Sequence, residues 1–143
     1  VLDGNQITNI PAVTGMPALS FIAINDNLLT NLDNANILFP NLLAAEFDDN
    51  QLTNINGLIG IPNLLLLDAE FNQLVDISAL SNLVSLVFLG LATNQISDIT
   101  ALFSLVNASS INLLENNTIT CADLDALQLA LPGVVNRPLT CVP

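Results

Sequence analysis

Apolar residues fall into a frame that recurs along most of the chain. Asparagines stand at Asn5, Asn27, Asn50, Asn72, Asn94 and Asn116, at spacings of 22, 23, 22, 22 and 22 residues, and the same apolar positions surround each. In one unit they are Leu64, Leu67, Ala69, Asn72, Leu74 and Ile77, and in the next Leu86, Leu89, Leu91, Asn94, Ile96 and Ile99. The consensus is L-x-x-L-x-L-x-x-N-x-L-x-x-I, and a fixed period of this length marks a repeat protein. Before the asparagine the alternation is strict, as in Leu67-Asp68-Ala69-Glu70 and Leu89-Gly90-Leu91-Ala92, which predicts a short strand with one buried face. After it the apolar spacing becomes three, through Ile77, Leu80, Leu83 and Leu86 and again through Ile99, Leu102 and Leu105, which is the 3₁₀ period. One unit cannot bury its apolar face alone, so the units are expected to stack around a continuous core.

The frame resembles the leucine-rich-repeat family, and its 22-residue period with I-x-x-L-x-x-L-x-x-L after the asparagine is most similar to the bacterial internalin-type subclass. The resemblance extends over residues 1 to 121, in about six units. It implies an α/β solenoid: a right-handed coil with a parallel sheet on its concave side, 3₁₀ or irregular segments on its convex side, and a C-terminal helical cap. The asparagine amide carries an acceptor and two donors, enough to satisfy backbone groups of the turn leaving the strand and of the adjacent coil. A structural ladder of all six asparagines follows.

Departures from the frame are few. The unit containing Asp33-Asn34-Ala35-Asn36 is one residue longer, which predicts a bulging convex loop. Ala45 and Ala69 replace larger strand residues, with Phe47 and the Leu64 to Leu67 run as the expected compensation, and Ala108 stands where leucine is expected. From Thr120 the pattern changes. Thr120 with Asp123 makes a capping-box-like start, Leu124, Leu127 and Leu131 form an apolar stripe, and Pro132-Gly133 stops it. Residues 122 to 143 are therefore assigned to a cap with a short helix and a returning tail. Cys121 and Cys141 lie in this region with no histidine or further cysteine to complete a metal site. A disulfide stapling the tail is the expected reading, against two inert buried thiols, and it implies an oxidising compartment. Stapled caps are common in extracellular members of the family, so the resemblance implies a secreted or cell-surface location.

Composition narrows the function. The chain has 143 residues, one domain's length, with one Lys+Arg, 13 Asp+Glu and no histidine, a net charge of −12. Arg137 is the only cation, which excludes a nucleic-acid partner, because a phosphate backbone demands several, and excludes docking on an anionic membrane. No apolar run approaches the length of a membrane span. The 29 leucines exclude a disordered acidic chain. The chain starts at Val1 with no apolar segment behind a basic flank, so a mature or trimmed product is expected.

Function is expected on residues projecting from the concave strands. Eight acids fall there: Asp3, Asp26, Glu46, Asp48, Asp49, Asp68, Glu70 and Glu115. Asp48 beside Glu70, and Glu46 beside Asp68, are expected as repelling like-charged neighbours on adjacent strands. Phe21, Leu66 and Phe88 share the first projecting column, and Phe71 projects at the far end of its strand. Three readings of the acids stand side by side: solubility alone, a cationic protein partner, and calcium, the last without any D-x-[DN]-x-[DN]-G match. No cofactor is called for. The candidate partner-binding residues are Phe21, Asp26, Glu46, Asp48, Asp49, Leu66, Asp68, Glu70, Phe71 and Phe88. Catalysis is set aside, since paired carboxylates on an open sheet lack a means of raising a pKa by desolvation. A non-enzymatic protein-interaction module is the first expectation. A structural subunit polymerising head to tail into a filament or surface layer is the alternative, because a heterologous contact that does not close makes a filament. Of two sequons, Asn116-Asn117-Thr118 belongs to the ladder, and Asn107-Ala108-Ser109 is the one open to glycosylation.

Overall fold

The computed structural model describes residues 1–10 and 15–142. Six short strands follow one another: β1 (Phe21–Ala23), β2 (Ala44–Glu46), β3 (Leu66–Asp68), β4 (Phe88–Gly90), β5 (Ser110–Asn112) and β6 (Val135–Asn136). They form one sheet in sequential order, each parallel to the next. Parallel neighbours need a crossover, and such crossovers are right-handed. The middle residues Ile22, Ala45, Leu67, Leu89, Ile111 and Val135 are in register and buried, one rib of the core. On the opposite side lie 3₁₀ turns at Asn56–Leu58, Ser78–Asn82 and Thr100–Ser104. Leu58, Leu80 and Leu102 point inward from these turns and are fully buried. Phe47, Leu64 and Leu67 are buried in the same core as Ala45 and Ala69.

The asparagine ladder is built as its donor and acceptor count requires. Asn72 Oδ1 accepts the Leu52 N–H at 2.9 Å, and its Nδ2 donates to Phe47 O in the preceding coil and to Ala69 O and Glu70 O in its own. Asn94 repeats this with Leu74, Ala69, Leu91 and Ala92, and Asn116 with Ile96, Leu91, Leu113 and Leu114. Asn27 and Asn50 do the same, so each amide clamps the coil before it. Asn5 departs from the expectation. It is exposed and donates only to Leu2 O and Asp3 O of its own coil, because no earlier coil lies beside it among the described residues.

A second ladder lies four residues after the first, where the chain turns onto the outer side. Asn31, Asn54, Asp76 and Asp98 each accept, through Oδ1, the N–H two residues on: Asp33, Asn56, Ser78 and Thr100. Thr120 occupies the same offset from Asn116 and caps α2 (Cys121–Ala130) by accepting the Asp123 N–H. The reciprocal half of the box differs, since the Asp123 carboxylate receives the Thr120 hydroxyl.

The longer unit does not bulge as a loop. Its extra residue is absorbed by one α-helical turn, α1 (Ala35–Leu38), entered through Asn34 at φ 70 and seated by buried Ala35 and Leu38. The next turn must then pass close to it: a Cβ on Gly57 would lie 1.7 Å from Leu32 O. Ala79 and Ala101 fill the corresponding place in later coils.

At the C-terminal end α2 buries Leu124 and Leu127, Leu131 is buried just beyond it, and Gly133 turns the chain at φ 74. The tail then supplies β6 as a sixth strand, and Val142 pairs with Thr120 in a parallel bridge. Cys121 and Cys141 are joined in a disulfide. Arg137 pairs with Asp125 of α2.

Candidate functional site

Three columns run across the solvent face of the sheet. The first holds Phe21, Ala44, Leu66, Phe88 and Ser110 in register. Phe21 and Phe88 are 41% and 52% exposed, and Leu66 is half-buried between them. The second holds Ala23, Glu46, Asp68, Gly90 and Asn112. Two residues further along come Asn25, Asp48, Glu70, Ala92 and Leu114. Ala23 and Ala92 lie in these columns yet are buried, because a methyl group is too short to reach past its neighbours.

The third column is a hydrogen-bonded rail that the sequence did not announce. Asp3 Oδ1 accepts the Asn25 N–H at 2.8 Å, Asn25 Oδ1 accepts the Asp48 N–H at 2.9 Å, and Asp48 Oδ1 accepts the Glu70 N–H at 2.9 Å. Asp48, one of the expected binding acids, and Asp3 thus hold neighbouring coils together. The Glu70 charge adds to the rise of the Asp48 carboxyl, so these two neighbours repel as expected. Glu70 turns its carboxylate to Asn112 Nδ2, 2.7 Å away and 42 residues on in sequence. Small Gly90 and Ala92 leave the intervening coil low enough for that reach. Gly90 also seats Asp68: a Cβ there would lie 2.0 Å from Asp68 Oδ1.

Burial, then the Asp68 charge and a hydrogen bond to the Asp68 side chain, push Asp48 from 3.8 up to about 7, so the expectation that an open sheet has no means of raising a carboxyl by desolvation is corrected at this position. Burial also raises Glu70, the Asn112 hydrogen bond partly offsetting it. Asp68 Oδ1 is buried without a hydrogen-bond donor when both aspartates are ionised. A proton on Asp48 supplies one, since two bare carboxylates have nothing to share. Asp48 is therefore protonated below about pH 7. On the outer side, Asp76 and Asp98 are lowered, Asp76 by the Ser78 N–H and hydroxyl and Asp98 by the Thr100 hydroxyl and N–H.

The remaining candidates lie just past the strands. Asp26, Asp49 and Phe71 occupy the residue before each ladder asparagine, all at φ between 51 and 53, in line with Gly4, Thr93 and Glu115. They are exposed at the rim, with Phe71 50% open. Glu46 faces Asn25 Nδ2 at 3.5 Å. Among the described residues no three acids or cysteines converge as a metal site. Asn107 is exposed but donates its Nδ2 to Val84 O, and Asn116 is fully buried. No described helix is long and apolar enough to cross a membrane.

No family model matches the chain. No curated protein matches it either. Solved structures do. An internalin (InlF) of Listeria monocytogenes superposes with a TM-score of 0.73 at 21% identity, over 89% of this chain and 44% of that one. A leucine-rich-repeat protein of Leptospira interrogans gives 0.81 at 21%, over 95% and 37%. Internalin C2 of Listeria monocytogenes gives 0.61 at 23%, over 92% and 76%. The chain spans less than half the length of the first two. At these identities the likeness is one of fold, and the fold is that of a leucine-rich-repeat solenoid.

Proposed function

We propose that the chain is a non-enzymatic, extracellular protein-interaction module that uses the concave acidic and apolar face of its sheet. The observation that carries this reading is the adjacency of the Phe21, Leu66 and Phe88 column to the Glu46, Asp48, Asp68 and Glu70 cluster on one stacked surface. An exposed aromatic row beside unpaired carboxylates suits a partner offering cations flanked by apolar side chains. Glu46, Asp49 and Asp26 are the acids freest to meet such cations, and Phe71 extends the apolar strip at the rim. The disulfide supports an extracellular or surface location. The solvent-open sheet and the lack of histidine speak for binding over catalysis, and a divalent cation such as calcium is the weaker occupant. Asn107 is the proposed glycan site. Residues 1–121 act as the solenoid and 122–143 as its cap.

Pull-down with cross-linking at low and high salt tests the face. Asp26→Asn, Glu46→Gln and Asp49→Asn together remove charge while keeping shape, so loss of partner capture with an unchanged circular dichroism spectrum supports the reading. Capture unaffected by these changes and by Phe88→Ser removes it.

A second reading, head-to-tail assembly into a filament or surface layer, draws on the N-terminal end. There a groove of about 490 Å³ is lined by Leu2, Ile7, Met16, Ile22 and Ile24, while Leu139 stands 97% exposed at the other end. Light scattering that shows unlimited growth with concentration, abolished by Leu139→Lys, distinguishes it.

A further inference from the structure

Charge is distributed unevenly around the coil. The acids lie on the sheet face and rim, at the outer turns (Asp33, Asp76, Asp98) and on α2. The legs that return from the outer turns to the strands, residues 34–43, 56–65, 78–87 and 100–109, carry no charged side chain, and neither do the legs that leave the sheet. The returning legs expose aliphatic groups instead. Ile37 and Val106 are 70% and 72% open, and Leu43, Ile59, Leu65 and Val84 lie between 43% and 46%. They stack as rows, because the Leu65 N–H donates to Leu43 O, Val87 N–H to Leu65 O, Asn36 Nδ2 to Ile59 O and Asn107 Nδ2 to Val84 O. The opposite leg, leaving the sheet, exposes Gln51, Thr53, Gln73, Gln95 and Ser97, with Leu28 and Val75 as its open apolar residues.

We infer that this uncharged flank is the contact surface of a two-fold dimer of the chain, side by side rather than end to end. Six side chains at these exposures present roughly 600 Å² of apolar surface, at the top of the range for a monomer's largest patch. With the polar residues between them the flank approaches the ~800 Å² per partner of a standard interface. The choice of a second copy follows from charge. Two bodies of net charge −12 repel through the sheet face, the rim, the outer turns and α2, and of the two uncharged legs this one exposes the aliphatic rows, so it is where they meet without bringing carboxylates together. A basic partner gains nothing here, since there is no charge to read. A two-fold contact is self-complementary, so rows about 4.8 Å apart on one copy interleave with the same rows on the other. The acidic sheet faces stay free, so the inference stands independently of the proposed partner site.

Sedimentation equilibrium on the intact chain tests it, with Leu65→Lys and Val106→Lys as flank variants and Gln73→Lys as the control on the opposite leg. All three positions are open to solvent, so folding is checked by circular dichroism and expected unchanged. The expected result is a species of twice the 15.1 kDa chain mass. Its dissociation constant should rise at least about a hundredfold in the flank variants, which bury an unpaired charge, and stay within about threefold in the control. A chain monomeric up to about 1 mM overturns the inference. So does a dimer indifferent to both flank variants, or one broken only by Leu139→Lys, which would place the contact at the ends. Flotation of a monomeric chain with phosphatidylcholine vesicles also overturns it, making a neutral lipid surface the occupant.

Discussion

Replacing Asp48 by asparagine should stabilise the protein above neutral pH and leave it unchanged in mild acid. In the folded state Asp48 titrates at about 7 against 3.8 for an unperturbed aspartate, chiefly because it is half-buried and faces Asp68. Between these values the folded protein holds a proton that the unfolded chain has released. Stability therefore grows as pH falls from about 7 toward 4, and is lost as pH rises through that window. The full gap corresponds to about 4 kcal/mol, and exposure of half the group to screening solvent reduces this to ~1–2 kcal/mol. Asparagine mimics the protonated form: its oxygen still accepts the Glu70 N–H and its amide donates toward Asp68. The variant should thus melt about 3–6 °C above the parent at pH 8 and within about 1 °C of it at pH 4. The raised Glu70 acts in the same direction but is present in both proteins. Asp76 and Asp98, held low, weaken the fold only as pH drops below about 4. Thermal melts from pH 4 to 8 decide the matter. A variant less stable than the parent at pH 8, or one with a parallel pH profile, would refute the shared proton.

Gly57→Ala should cost at least about 3 kcal/mol in urea denaturation, because the new methyl meets a backbone carbonyl that cannot swing away. Alanine already stands at the equivalent positions 79 and 101, so Ala79→Gly should cost only ~0.5–1 kcal/mol. Thr93→Gly should stabilise by ~0.5–1 kcal/mol, since a β-branched residue at φ 55 is strained where glycine is not. Reduction of Cys121–Cys141 should cost about 2–4 kcal/mol and free the tail from Val134 first, seen as early hydrogen exchange after Asn107 while Asn27 to Ile99 stay protected.

The coil and its asparagine ladder were legible because one residue type recurs at one spacing, and the core rib because Ile22, Leu67, Leu89 and Ile111 each stand five residues before a ladder asparagine. The outer ladder was present at the same period. Its identity changes from Asn31 and Asn54 to Asp76, Asp98 and Thr120, so it does not register as a motif. Only the shared need for a cap acceptor unites it. The longer unit was found by counting, but whether an extra residue loops out or winds into α1 depends on burial of Ala35 and Leu38 against coils that spacing alone does not place. β6 is two residues with no repeat around it. At the candidate site, the columns of Phe21 and Glu46 followed from alternation. The reach of Glu70 to Asn112 over Gly90 did not, because it joins residues two coils apart, and neither did the use of Asp3 and Asp48 as backbone acceptors.

The ladder has a direction. Each ladder amide serves the coil on its N-terminal side as well as its own. A 22-residue cassette cut from one asparagine to the next, such as residues 73–94, leaves every remaining clamp facing the same kind of carbonyl and amide. Length is therefore a free variable in this architecture. The last coil is the exception, because no later asparagine serves it: its Leu113 N–H goes to Asn136 O, and Ile119 O receives Val142 N–H. The tail closes the face of this last coil, and removing it would leave backbone groups unsatisfied in a way that removing a coil from within would not.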